Sequence, residues 1–403
     1  MASPLLILDL GTSQIKALVA KKEGEDYKIL LSLIKPSQGI KSGIINDHEL
    51  LRKRLEELLS EINRTNKKMD FSEATTGIGS CYLEVKNSKG VAVISKSNQE
   101  IEEEDVNRAI QAAEAVALPL NRILVQSVIQ GFKIDEKEKV KDPVGLKGIK
   151  LEAEILLIDV FSPVMKSIDR LEEYLGINFN HRFVLPLAGS EVVLSEKDKD
   201  LGVMTIDFGA GTTSICVYEN NELVDLKVFP LGGNYITNDI AVGLRTYVDI
   251  AEEIKINEGG AYAKKISKTE IIDGKRYDPD LEEKISKKFV AEIIEARLCE
   301  ILDLITEELK QINRFCKLPA GVIIYGGGAK LPYLVDLIKD KLKLAVRIGE
   351  IDNEWYQENK QIEFIPAIGL LHLRKQLEEE KSFYNQSNFF KKILKPFLRM
   401  FNI

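Results

Sequence analysis

The sequence predicts an α/β fold of two related domains closed around a ligand cleft. Three observations carry that prediction. Leu6 to Ala20 reads "LILDLGTSQIKALVA": an apolar strand, an Asp, a Gly turn with small hydroxyls, and a second apolar strand. About two hundred residues later "MTIDFGAGTTSICVY" writes the pattern again. A third turn, "GGGAK" at 326–330, follows the buried strand "VIIY". Length agrees, because a single core rarely grows past about 250–300 residues and this chain has 403.

Composition narrows the function classes. Hydrophobic content of 44% and charged content of 30% are those of an ordinary soluble protein. A net charge of −7 argues against a nucleic-acid partner, which would need a basic stripe. Cys81, Cys216, Cys299 and Cys316 are scattered without a CxxC pair, the usage of a reducing cytosol rather than of a disulfide frame or zinc site. His48, His181 and His372 are too few for a His-rich metal centre. "MASPLLILDLG" lacks a basic leading segment and turns polar at Asp9, so it reads as a buried strand and not a signal peptide. No apolar run reaches the roughly 18 residues that a membrane span needs.

The elements follow in order. Residues 5–10 and 15–20 flank "GTSQ" as a hairpin. Leu51, Leu55, Leu58, Leu59 and Ile62 recur at helical spacing in "ELLRKRLEELLSEIN". "ATTGIGSCYLEV" (74–85) reads as strand, and "NQEIEEEDVNRAIQAAEAVAL" as a helix whose acidic start suits its N-terminus. Strand candidates fill 122–160, a helix follows at 163–175, and the repeated strand arrives at 203–207. The second half promises a helix near 237–256, a charged stretch at 260–290, a long helix at 284–314 and a helix in "LPYLVDLIKDKL". After Leu377, "EEEKSFYNQSN" reads as a polar linker.

The turns have a chemical rationale. Glycine lets backbone approach a ligand with no Cβ in the way, and small hydroxyls and main-chain N–H groups in such a turn point at an anion, most often phosphate. An Asp just before the turn can hold Mg²⁺ through water. Two such hairpins, one per domain, could clamp a polyphosphate, and a Gly-only turn could lie flat on an adenine.

On these motifs the chain resembles the superfamily of actin, hexokinase and heat-shock-chaperone ATPases, which implies a two-domain actin-like (ribonuclease-H-like) α/β fold. Within it the chain is most similar to the FtsA family of bacterial division actins. "DPVGLKGIKLEAEI", "PLAGSEVVL", "FPLGGNYITNDIAVGLRT", "AEEIK" and "IPAIGLL" carry the narrower match. The resemblance implies subdomain 1A at 1–80 and 161–198, with a 1C insert at 81–160 in place of subdomain 1B. It implies subdomain 2A at 199–249 and 316–364, 2B at 250–315, and a return to 1A at 365–377. A linker at 378–388 and a helix at 389–403 complete the division.

The implied ligands are ATP and Mg²⁺. Gly11, Thr12, Ser13 and Lys16 are expected at the phosphates on one side, and Gly209, Gly211, Thr212 and Thr213 on the other. Asp9 and Asp207 are expected to hold the Mg²⁺ water shell. Gly326, Gly327, Gly328 and Lys330 are expected to line the adenosine, with Glu252 and Lys255 near the ribose. In the chaperones a glutamate opens the first connecting helix and positions the attacking water; here Leu185 stands there, and Glu191 is no evident substitute. Hydrolysis is therefore expected to be slow, with nucleotide acting as a structural switch.

The last residues carry a further expectation. Phe389, Phe390, Ile393, Leu394, Phe397, Leu398 and Phe401 fall on one helical face, flanked by Lys391, Lys392, Lys395 and Arg399 with no acid between. Such a helix lies in an anionic membrane interface, with Pro396 able to kink it. The resemblance implies a filament-forming tether at the division site, on the cytoplasmic face of the membrane. Its implied partners are the C-terminal peptide of FtsZ at subdomain 2B, where Lys288 and Arg297 are candidates, further copies of the chain, and other division proteins through 1C. The alternative is a PilM-like cytoplasmic adaptor of a pilus or secretion assembly.

Overall fold

The computed structural model describes residues 4–24, 26–65, 69, 71–115, 118–351 and 361–386. Its first part holds β1 (Leu5–Leu10), β2 (Gln14–Glu23), β3 (Asp26–Pro36), α1 (His48–Thr65) and β4 (Glu73–Ile78). Next come β5 (Leu83–Val93), α2 (Glu103–Glu114), β6 (Arg122–Ile134), β7 (Lys150–Phe161), α3 (Ser162–Leu175), β8 (Asn178–Val184) and α4 (Leu185–Val193). The second part runs through β9 (Val203–Phe208), β10 (Thr213–Glu219), β11 (Glu222–Phe229), α5 (Gly233–Leu244), α6 (Val248–Glu258) and α7 (Lys287–Gln311). It closes with β12 (Gly321–Tyr325), α8 (Leu334–Leu342), β13 (Val346–Ile348) and α9 (Ile365–Gln386).

The repeat seen in the sequence is a repeat of topology. One sheet runs β8-β4-β1-β2-β3 and the other β13-β12-β9-β10-β11. In each, an antiparallel three-strand meander is extended by two parallel strands beyond its first strand. The strands next to the parallel ones are buried on both faces, which is why β1 and β9 read as near-continuous apolar runs. β1 and β9 are equivalent, and so are the turns that follow them. In matching register Asp9 faces Lys16 and Asp207 faces Ser214.

Two helices pass between the sheets. α4 packs against α9, and a Cβ on Gly369 would lie 1.9 Å from the carbonyl oxygen of Ala188, so the crossing depends on glycine. The Tyr325 hydroxyl, from the second lobe, donates to the Pro186 carbonyl at 3.3 Å. Ser190 and Thr205 share a buried hydroxyl contact of 2.8 Å at the same seam. The stretch 378–386, expected as linker, continues α9 as far as Gln386. Glu378 anchors it: the Tyr27 hydroxyl donates to its carboxylate at 2.6 Å, and Arg374 pairs with it at 3.1 Å.

The segment from β5 to β7 is a separate small sheet in the order β5-β7-β6, extended at the β6 edge by a two-residue strand, with α2 on one face. Asp159 is fully buried and takes an ion pair from Arg122, tying this unit together. It also reaches the second lobe, where Gln130 Nε2 donates to the Leu223 carbonyl at 3.0 Å and Lys139 pairs with Glu222 at 2.5 Å.

Two further sequence readings differ from what the chain forms. Residues 74–85 are two strands in different sheets, because the chain turns between Ser80 and Leu83. The helix expected near 237–256 is two, α5 and α6, broken where Arg245 caps the first in the left-handed region at φ 53°. β3, β11 and β13 were not anticipated; each extends or edges a sheet and has weak apolar alternation of its own.

Candidate ligand cleft

The β1–β2, β9–β10 and β12–α8 turns converge on one cavity of about 390 Å³ between the lobes. Gly11, Thr12, Ser13, Lys16, Asp9, Asp207, Gly209, Gly211, Thr212, Glu252, Lys255, Gly326, Gly327, Gly328 and Lys330 all line it. Thr213 does not join them. It opens β10 fully buried, and its hydroxyl donates to the Leu231 carbonyl at 2.8 Å, holding the chain just past β11.

The two Asp turns touch. A Cβ on Gly211 would fall 2.4 Å from Thr12 Oγ1, so only glycine permits this approach. Thr12 Oγ1 in turn accepts from the Gly43 amide at 3.2 Å. The turn after β9 is braced from behind by the start of α5, where the Gly233 and Asn234 amides donate to the carbonyls of Gly209 and Ala210 at 3.0 and 2.8 Å. Gly328 lies against the Phe208 ring, where a Cβ would come within 1.9 Å.

Charge is concentrated at the floor. Lys16 Nζ pairs with Asp9 at 2.8 Å, and both side chains are almost wholly buried. Burial alone would lower the Lys16 ammonium, but Asp9 offsets this and its pKa stands above the ordinary value. Asp207 has no such partner: Ser214 occupies the position that Lys16 fills in the first copy. Burial, and then the charge of Asp9, push the Asp207 carboxyl up to about 7, with Lys16 pulling the other way. Two carboxylates beside one ammonium in a partly buried cleft form an oxygen donor set that favours an added hard cation, the kind of ligand that suits Mg²⁺.

At the other end, Lys255 Nζ donates to Glu252 at 2.6 Å, to Thr237 Oγ1 at 2.7 Å and to the Gly233 carbonyl at 3.2 Å. Charges one turn apart on a helix are commonly just a solvated face. Here Lys255 is 13% exposed and faces the cavity. Thr237, which belongs to "GGNYITNDIA", also donates to Glu252, and sequence reasoning gave it no role.

Leu185 lines the cleft and packs on the end of β4, where a Cβ on Gly77 would meet it at 2.3 Å. Glu191 points elsewhere and pairs with Lys199 at 2.7 Å. Sequence reasoning missed Glu363, just before α9, which lines the cavity and pairs with Lys330.

The peptide-binding candidates fare differently. Arg297 pairs with both oxygens of Asp239, at 2.7 and 3.0 Å, and with Glu300. That pairing spans 58 residues of sequence and could not be seen from α7 alone. Lys288 lines a shallow depression with Lys264, Glu292 and Glu295, so acidic as well as basic groups face an incoming chain. Phe389, Phe390, Lys391, Lys392, Ile393, Leu394, Lys395, Phe397, Leu398, Arg399 and Phe401 lie outside the described residues. Among the described residues no helix is long and apolar enough to cross a membrane.

Comparison with known proteins agrees with this architecture. Residues 204–369 match the family model described as cell division protein FtsA, and residues 81–159 match the SHS2 domain inserted in FtsA. The chain is 31% identical over 366 residues to cell division protein FtsA of Bacillus subtilis, covering 90% of this chain and 82% of that protein. It is 31% identical over 379 residues to the FtsA of Neisseria meningitidis serogroup B, covering 92% and 90%. Among solved structures it resembles the PilM–PilN type IV pilus biogenesis complex, with a TM-score of 0.65 at 17% identity over 92% of this chain and 98% of that one. MreB 5 of Spiroplasma citri bound to AMPPNP follows at a TM-score of 0.58 and 13% identity, covering 95% and 99%. These distant structures bear on the fold alone, which is that of the actin-like ATPases. The relatives, matched over most of both lengths, place the chain in the FtsA family of cell division proteins.

Proposed function

We propose that the cleft binds ATP with Mg²⁺ and that the chain is a nucleotide-dependent membrane tether for the division machinery. The observation that carries this reading is the meeting of both Asp–Gly turns and the Gly-only turn on one cavity. Gly11, Thr12, Ser13 and Lys16 hold the phosphates from one side and Gly209, Gly211 and Thr212 from the other. Asp9 and Asp207 hold the metal's water shell, Gly326 to Gly328 carry the base, and the Glu252–Lys255 pair stands at the ribose. Mg²⁺ supplies neutralisation of the polyphosphate charge. Leu185 offers no polar atom to orient water, so turnover is at most slow and the nucleotide serves mainly to set the lobes.

In this reading the chain polymerises, lies on the cytoplasmic face of the membrane through its basic amphipathic terminal segment, and brings FtsZ there to help assemble the septum. The unit at 81–160 meets the neighbouring copy and other division proteins. Weak interfacial binding by one such segment becomes firm when many copies act together. Family membership favours this tether over a PilM-like adaptor, for which only the likeness of fold speaks.

The test is co-sedimentation with vesicles. The full chain is compared with a version ending at Gln386, which keeps the Glu378 anchor of α9, on anionic and on neutral lipid with ATP. Pelleting of the full chain alone, and with anionic lipid alone, is expected. Equal behaviour of the two forms would sink the tether and move the adaptor ahead.

A further inference from the structure

Between β3 and α1 the chain makes a small strap, residues 37–47. Its two strands, Ile40–Lys41 and Ile44–Ile45, are two residues long and pair with each other in a sheet of their own. The tip between them, Ser42–Gly43, has φ of 49° and 72°, the pair of left-handed residues that a two-residue hairpin turn favours. The Asn46 and Asp47 amides close its base on the Gly39 carbonyl, at 2.8 and 3.2 Å. So short a hairpin is marginal by itself.

Its support comes from the β1–β2 turn. The Ser37 amide donates to the Ser13 carbonyl at 2.8 Å, and the Gly43 amide to Thr12 Oγ1 at 3.2 Å. Behind the tip, a Cβ on Gly43 would fall 2.4 Å from the Gly79 carbonyl oxygen, so the tip is wedged in place. Ile40, Gly43 and Ile45 line the cavity together with Thr12 and Ser13. Thr12 thus has the strap on one side and Gly211 of the second lobe on the other. A hydroxyl both accepts and donates. Among the described residues Thr12 Oγ1 accepts from Gly43, and its own proton meets no acceptor. Because Thr12 lines the cavity, that proton is within reach of a ligand. A phosphate oxygen is its complement.

We propose that the strap gauges the terminal phosphate: Thr12 gives its proton to that phosphate and, through the same oxygen, fastens the Gly43 amide. The proposal rests on the nucleotide reading above, in which the base lies on the second-lobe turn and the last phosphate reaches Thr12. Donation polarises the hydroxyl oxygen and makes it a better acceptor, so a bond that is long at 3.2 Å tightens. A diphosphate leaves the proton without a partner and the strap on its weak tie. Linkage is reciprocal, so whatever a triphosphate adds to the strap returns as preference for triphosphate over diphosphate. A loosened strap uncovers Ile40, which is buried when the strap is fastened.

The experiment is hydrogen exchange by mass spectrometry on the full chain, alone, with Mg-ADP and with the non-hydrolysable Mg-AMPPNP, each at a concentration shown to saturate. AMPPNP is expected to slow exchange in the peptide over 37–47 about tenfold more than ADP, the factor that one hydrogen bond to a charged group supports. Thr12→Val keeps the shape and loses the hydroxyl, and should make the two nucleotides equal at the strap. Thr12→Ser restores the hydroxyl and should restore the difference, which separates a lost bond from a folding defect. Gly43→Ala unseats the tip from outside the β1–β2 turn and should lower AMPPNP affinity about tenfold relative to ADP. Equal protection of the parent strap by both bound nucleotides overturns the gauge. A difference that persists in Thr12→Val overturns the part given to Thr12, and the proposal with it. A parent chain that binds neither nucleotide overturns the nucleotide reading itself.

Discussion

Gly211→Ala is the sharpest probe of the cleft. The added methyl would sit 2.4 Å from Thr12 Oγ1, 2.8 Å from its Cγ2 and 2.9 Å from its Cβ. Ordinary contact begins near 3.4 Å, so the two turns must part by roughly 1 Å. Thr12 cannot simply rotate aside, because its hydroxyl holds the Gly43 amide. A displacement of about 1 Å in a preorganised site costs on the order of 100-fold, ~2.7 kcal/mol. The assay is equilibrium binding of Mg-ATP, with thermal melting alongside to confirm that the variant folds; overpacking itself should cost about 1–3 kcal/mol. Adding Thr12→Ala removes the two nearest groups that the methyl meets beyond Cβ and should recover part of the loss. Binding by Gly211→Ala as tight as the parent's would refute the claim that the two turns grip one ligand.

Two further outcomes are expected. Asp159→Ala strips a fully buried carboxylate from Arg122, itself 10% exposed, and should destabilise the β5–β7 unit by roughly 3 kcal/mol, the lower end for a broken buried pair because Glu84 still reaches Arg122. A melting curve with an early transition checks it, and an unaltered curve counts against it. The second concerns pH. Asp207 titrates at about 7 in the fold against 3.8 in the unfolded chain, so the native state keeps a proton that the unfolded chain has lost. Stability therefore falls as pH rises from about 4 to about 7 and stays lowered above. Asp207→Asn should lose that slope, and its advantage in melting temperature over the parent should widen from about pH 5 to pH 7.5. Parallel profiles would show that Asp207 carries no such strain.

Much of the cleft was legible because its signals are local. A Gly turn after an apolar strand is written in ten consecutive residues, and its repetition implies two lobes. What failed did so where a partner lies far along the chain or where a side chain's direction decides its use. Thr213 belongs to the second motif by spelling, yet strand alternation turns it into the sheet, where Leu231 takes its hydroxyl. The partner of Arg297, Asp239, is brought beside it by the packing of α5 on α7 and is not visible from the α7 stretch alone. The expected linker after Leu377 is rich in Glu and Lys, which are helix formers, and Glu378 found Tyr27 across the first lobe.

The sequence by itself determined the two-lobed α/β fold, the three turns and the family, because hydrophobic period and glycine placement are properties of short stretches. Only the tertiary structure decided which charges are spent and which remain open. Lys255 became an anchor instead of a surface charge, Asp9 took the Lys16 ammonium, Asp207 was left short of a counter-charge, and Glu363 arrived at the cleft from the far end of the chain with one oxygen unpaired. Burial sets the energy of a charge, and burial is created by residues hundreds of positions away.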